Sequence, residues 1–193
     1  MKKSTVLGFA ISILISSHAV SQSIKVSTED GGSVVTELGY GVKVNKNSTL
    51  RRSFITFNDP ACPVQLNSAG IKTLYDDRSY SYKPVGTLNA SEQVSAIDVR
   101  FLLYDVFGDH IKTLRGTYVG DVAPNNAFQL KDIGSWRAWE NEVSELLTVV
   151  SFVAQVRTQS GKLWRYNEKA IGEEMSKVRL KVSSGVLDPT KEK

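Results

Sequence analysis

Apolar and polar residues trade places with a period of two through much of the chain. Val42-Lys43-Val44 and Ser53-Phe54-Ile55-Thr56-Phe57 alternate in this way, as strands with one better-buried face do. Asp59-Pro60 breaks the second of them. Val64-Gln65-Leu66 predicts a short strand, Asn67-Ser68-Ala69-Gly70 a turn, and Tyr80-Ser81-Tyr82 a further strand ending at Pro84. The longest candidate runs over 94–107. Val99, Phe101 and Leu103 fall on one side of it, and Leu102, Tyr104 and Val106 on the other. Both faces are apolar, so this strand is expected at the centre of a sheet and covered on both sides. Asp105-Val106-Phe107-Gly108-Asp109 holds a glycine turn, which predicts a hairpin to a strand over 110–119. A second strong strand spans 146–158, with Leu146, Val150, Phe152, Ala154 and Val156 on one face. Gln159-Ser160-Gly161-Lys162 then turns the chain back into Leu163-Trp164-Arg165-Tyr166. About seven strands joined by turns, with little helix, predict an all-β fold, an antiparallel β-sandwich.

Two segments fit two periods at once. Trp136, Trp139, Val143, Leu146 and Leu147 form a helical stripe, yet Val143, Glu145 and Leu147 also extend the following strand. A short helix or irregular turn over 135–142 is the expectation. Ile171, Met175 and Val178 share a helical face with Asn167 as N-cap, and Val178, Leu180 and Val182 then alternate. This predicts a helix running into a short strand. The fold therefore carries a short helix or two near its C-terminal third.

The ends differ from the middle. Met1-Lys2-Lys3, an apolar run over 6–15 and the small residues of 16–21 have the three parts of a secretory signal peptide over 1–21. Ten helical residues rise about 15 Å, roughly half a bilayer core. Cleavage after Ala19 or after Ser21 fits the small-residue positions, and the alternative is an uncleaved anchor. Residues 22–39 are polar and contain Glu29-Asp30-Gly31-Gly32-Ser33, a flexible lead-in by composition. The β-sandwich domain is expected over 40–182 and a flexible tail over 183–193.

Composition narrows the chemistry. The net charge is +4, and Lys2 and Lys3 account for two of those charges. Near-neutrality argues against nucleic acid as the main partner. Arg51-Arg52 and 177–181 read as solvated faces. Cys62 is the single cysteine, expected to be buried rather than paired with another chain. His110 is the one histidine beyond the signal segment, so a histidine-dependent triad would need it, and nothing beside it in sequence supplies a nucleophile. His110 and Cys62 have no metal-ligand spacing, and no EF-hand-type loop appears. Calcium bound by scattered acids stays open. Gly39-Tyr40-Gly41 leads into a strand, which a phosphate-cradling loop would not do. Asp76-Asp77 and Glu173-Glu174 are adjacent and point apart on a strand or helix. Asn47-Ser48-Thr49 and Asn89-Ala90-Ser91 match the glycosylation pattern and read as loops. No catalytic residues, cofactor or metal are expected.

Phe101-Leu102-Leu103-Tyr104-Asp105, with Gly108 in the turn, resembles the motif of FxLYD-type secreted bacterial domains over about 80–157. The resemblance implies an immunoglobulin-like sandwich in which the motif ends a central strand. It implies no chemistry, since that family is mostly of unknown function. The residues suit a structural role. Phe101 and Leu103 fill the interior, Tyr104 lies on the opposite face with its hydroxyl at the rim, and Asp105 accepts turn amides.

The remaining enrichment is aromatic. Trp136, Arg137, Trp139, Trp164 and Tyr166, with Arg165, would form a protein or glycan contact surface if exposed, and would close one end of the sandwich if buried. The expected function is a non-catalytic periplasmic or secreted module that binds a protein or glycan of the cell envelope, with no membrane span after cleavage. The alternatives are a subunit or stabilising component of an envelope complex, and a hydrolase using carboxylates or His110.

Overall fold

The computed structural model describes residues 23–33, 49–76, 79–131, 133–139, 146–183 and 185–187. The segment over 1–21 read as a signal peptide, Gly39-Tyr40-Gly41, the strand expected at 42–44 and residues 188–193 lie outside them. The described chain forms ten strands and one helix. They are β1 (Lys25–Ser33), β2 (Arg51–Asn58), β3 (Val64–Asp76), β4 (Ser79–Ala90), β5 (Val94–Asp105), β6 (His110–Val122), β7 (Ala127–Leu130), β8 (Trp136–Trp139), β9 (Leu146–Thr158), β10 (Leu163–Arg165) and α1 (Glu168–Lys177).

The strands build two sheets, as the alternation predicted. The larger sheet runs β1-β2-β9-β5-β6, and β10 pairs with the far end of β9. Its pairs are antiparallel except β2 with β9, which is parallel. The smaller sheet is the β3–β4 hairpin, with β7 and β8 sharing the other edge of β4.

β5 is central, as expected, between β9 and β6. Its two apolar faces serve two cores. Ile97, Val99, Phe101 and Leu103 enter the core between the sheets, with Leu88, Val149 and Val156. Leu102 and Tyr104 enter a second core on the outer face of the larger sheet, where Ile171, Met175, Val186 and Leu187 cover them. Burying both faces of one strand removes far more apolar surface from water than an ordinary half-buried strand would.

The turn after β5 forms as predicted. Asp105 Oδ1 accepts from the amides of Phe107 and Asp109, each at 2.9 Å. Gly108 there has a φ of 77°, a conformation that strains any residue with a Cβ. α1 is capped by Asn167, whose Oδ1 accepts from the Ala170 amide at 3.2 Å.

Several expectations need correction. The strand expected to end at Pro84 runs on to Ala90 and takes in Asn89 and Ala90, which read as a loop. Arg52, read as part of a solvated face, is buried, and its Nε donates to Leu146 O at 3.0 Å. The β9 residues expected on one face divide between the cores, Leu146 and Val156 between the sheets and Val150, Phe152 and Ala154 on the outer face, because the register shifts along the strand. The supposed lead-in contains β1, which pairs with β2 from Lys25 to Ser33. An edge strand exposed on both faces needs no alternation, so its polar sequence reads as a linker. Residues 67–70 do not turn. They continue β3 through a bulge between Leu66 and Ser68. Residues 136–139 form β8 rather than a helix, because Trp136 stacks on Tyr82 across the strand pair, ring centroids 5.1 Å apart. Trp139 ends that strand, and 140–142 lie outside the described residues.

The strand expected at 178–182 is replaced by a helix stop. Arg179 takes a φ of 61°, and the amides of Arg179 and Leu180 donate to Ser176 O and Met175 O. That is a Schellman motif, with arginine where glycine is usual. The tail is not free at its start either. Val186 and Leu187 are buried in the second core, and Thr113 Oγ1 donates to Val186 O at 2.6 Å.

Candidate functional site

β7 and β8 meet β4 at different heights. β7 pairs with Gly86–Asn89 and β8 with Ser79–Tyr82. Between them Lys83, Pro84 and Val85 have no strand partner on that side among the described residues, and Lys131, Gly134 and Ser135 line the gap. Ile133 lies against Gly116 of β6, where a Cβ would come within 2.5 Å of the Ile133 Cδ1. The result is an open groove of about 460 Å³ on the outer face of the smaller sheet.

Strand register sets what lines the groove. Lys72 of β3 stands directly opposite Lys83 of β4. Like charges so placed oppose folding. One step along, Gly70 faces Val85; one step back, Leu74 faces Ser81. Lys131 adds a third cation to the lining. All three lysines are exposed, and none makes a salt bridge among the described residues. Leu74 and Val85 are 38% and 39% exposed between them. The groove thus presents cationic groups over an apolar floor, a combination suited to an anion that also has apolar parts.

The aromatic residues singled out from the sequence do not form one surface. Trp136 is half-buried against Tyr82 and the core between the sheets. Trp164 of β10 packs on that same core from the other sheet. Tyr166 lies on Phe152 in the second core, ring centroids 5.0 Å apart. Packing therefore takes up these three. Arg137 is exposed on β8, and its Nε donates to Ser79 Oγ at 2.6 Å. Trp139 pairs with Ser79 along the backbone.

The motif strand residues lie in the two cores, and the Tyr104 hydroxyl, expected at the rim, is covered. Phe101 and Leu103 are fully buried between the sheets. Tyr104 is fully buried on the opposite face, and its hydroxyl donates to Lys181 O at 3.2 Å. Burial holds its phenol well above the ordinary value.

The residues weighed for catalysis from the sequence each have defined surroundings. Cys62 is buried in the core between the sheets, where desolvation pushes its thiol up to about 12. A thiol held protonated is a poor nucleophile. His110 sits on the other face of the larger sheet, with its ring edge against Tyr104. Its Nε2 is 2.8 Å from Thr113 Oγ1. Because that hydroxyl donates to Val186 O, the imidazole Nε2 donates to it. The sheet itself separates the thiol from the imidazole. Glu173 and Glu174 pair with Lys169 and Lys177. Among the described residues no three metal-ligating side chains converge, and no helix is long and apolar enough to cross a membrane.

Sequence reasoning missed the groove, though a signal existed. Lys72-Thr73-Leu74 and Lys83-Pro84-Val85 each place a lysine and an aliphatic residue two apart, hence on one face. Only the hairpin register shows that the two faces coincide.

Comparison with protein-family models and with curated proteins gives no match for this chain.

Proposed function

We propose that this chain is a non-catalytic binding module of the cell envelope or the extracellular space, and that it docks an anionic component in the groove of its smaller sheet. The observation that carries this reading is the cross-strand pair Lys72 and Lys83, joined by Lys131, with no acidic partner among the described residues. Such an arrangement costs stability, and an anion would reverse that cost. The placement outside the cytoplasm rests on the signal-like segment over 1–21. The resemblance to FxLYD-type domains, with its immunoglobulin-like fold, agrees with a module of this kind. The structural roles of Cys62 and His110 support a binding reading over a hydrolytic one.

The test is calorimetric titration with poly-L-glutamate at low and high salt. The expected result is salt-dependent binding that Lys72→Glu/Lys83→Glu abolishes and Lys112→Glu/Lys162→Glu retains. Equal losses in both double variants would mean that net charge, and no particular site, binds the polymer.

A further inference from the structure

We infer that the groove takes an extended acidic peptide segment of a partner protein, one with an acidic residue flanked by apolar residues at the second position on either side. This rests on the groove being the docking site, and it goes further by fixing the pattern the ligand must carry.

The argument is one of spacing. Along the outer face of the hairpin the side chains come in successive levels two residues apart, about 6.7 Å. Val85 stands at the first level, opposite Gly70. Lys72 and Lys83 share the second, and Leu74 stands at the third, opposite Ser81. The surface therefore reads apolar, doubly cationic, apolar. An extended chain places every second side chain on one side at the same interval. A carboxylate reaching the two ammonium groups would set its neighbours at plus and minus two over Leu74 and Val85. The two lysine stems widen the apolar contact on either side of the charge. Lys131 on the wall offers a third ammonium to a carboxylate elsewhere on the segment.

The alternatives match this surface less well. Polyphosphate carries charge without apolar groups and leaves Leu74 and Val85 in water. A bilayer surface is flat on this scale, whereas Lys131, Gly134 and Ser135 line the groove together with the lysines of the hairpin. A peptide strand fits the groove lengthwise and uses charge and floor together.

The experiment compares four probes on the full chain: a peptide Ser-Leu-Ser-Glu-Ser-Leu-Ser, the same composition as Ser-Ser-Glu-Leu-Leu-Ser-Ser, inorganic polyphosphate, and vesicles of anionic phospholipid. The patterned peptide should bind about tenfold tighter than the rearranged one, the effect of covering two half-exposed aliphatic side chains. Leu74→Ser/Val85→Ser should remove that preference and leave poly-L-glutamate binding intact. Lys72→Glu/Lys83→Glu should remove both.

Equal affinity for the two peptides overturns the pattern, even with lysine-dependent binding of poly-L-glutamate intact. Lysine-dependent binding of polyphosphate or vesicles that exceeds peptide binding assigns the groove to that other class and overturns the inference as well. Loss of poly-L-glutamate binding in no lysine variant overturns the docking site itself. Thermal unfolding of each variant confirms that the fold is intact.

Discussion

Two groups of cations lie on the outer faces of the two sheets, and they are treated in opposite ways. On the larger sheet, Asp98 of β5 gathers donors from three strands. Arg100 Nη1 lies 2.5 Å from Asp98 Oδ1 and Arg115 Nη2 3.2 Å from Oδ2, while Thr117 and Gln155 add hydrogen bonds at 3.3 Å. The Asp98 and Arg100 side chains are 5% and 2% exposed. Asp98 and Arg100 are buried and paired there, and Arg115 joins them from the rim. On the smaller sheet, Lys72 and Lys83 face each other in water above exposed apolar residues. A cluster that pairs its charges stabilises or specifies the fold, whereas one with like charges opposed costs stability, which is the basis of the docking proposal. The difference shows only once burial and partners are both known, because every one of these residues is a scattered basic residue in the sequence.

Breaking the satisfied cluster should have the largest effect. Asp98→Ala leaves the Arg100 guanidinium buried without its counter-charge, and chemical denaturation should show a loss of about 3–5 kcal/mol. A loss under about 1 kcal/mol would mean that water reaches the cluster and that the contrast between the sheets is false.

Cys62 sharpens the same point, since its buried sulfur accepts from the Val64 amide at 3.4 Å and has no charged donor of the kind Asp98 has among the described residues. Its thiol is raised from an ordinary value near 9 to about 12 by burial. The folded state therefore holds its proton where the unfolded state has lost it, between pH 9 and 12. Stability should fall across that window by roughly 1.4 kcal/mol per pH unit relative to Cys62→Ala, with the difference between the two proteins constant below pH 9. Parallel pH profiles for the two proteins would contradict the burial argument. Tyr104→Phe removes the hydroxyl that holds Lys181 O and should cost about 1 kcal/mol, read from the thermal midpoint.

The groove gives the smallest change in stability, with the opposite sign. Lys72→Glu sets an acid opposite Lys83 and should stabilise the hairpin by roughly 0.2–1 kcal/mol while abolishing poly-L-glutamate binding. A gain in stability with a loss of binding marks a surface kept for a ligand. A loss of both would make Lys72 structural.

Much of the fold is legible in the sequence wherever one local rule acts alone. β5 announces itself by apolar residues on both faces, the 105–109 turn by Asp105 and Gly108, and α1 by Asn167 with Ile171 and Met175. Legibility fails where neighbours decide. β1 is polar because it is an edge. Trp136 and Trp139 are spaced for a helix turn, and Tyr82 selects the strand. Arg179 in a left-handed conformation turns an alternating run into a helix stop. The groove is less legible still. It depends on a hairpin register running from Val64 to Ala90, on two strands meeting β4 at different heights, and on Ile133 seated against Gly116. None of these is a property of a contiguous stretch.

The most direct test is amide chemical-shift mapping of the labelled protein as poly-L-glutamate is added. Perturbations should gather at 72–74, 83–85 and 131–135, with Arg115 and the rest of the larger sheet unmoved. Perturbations centred on the arginines of the larger sheet, or spread evenly over every exposed cation, would contradict the account.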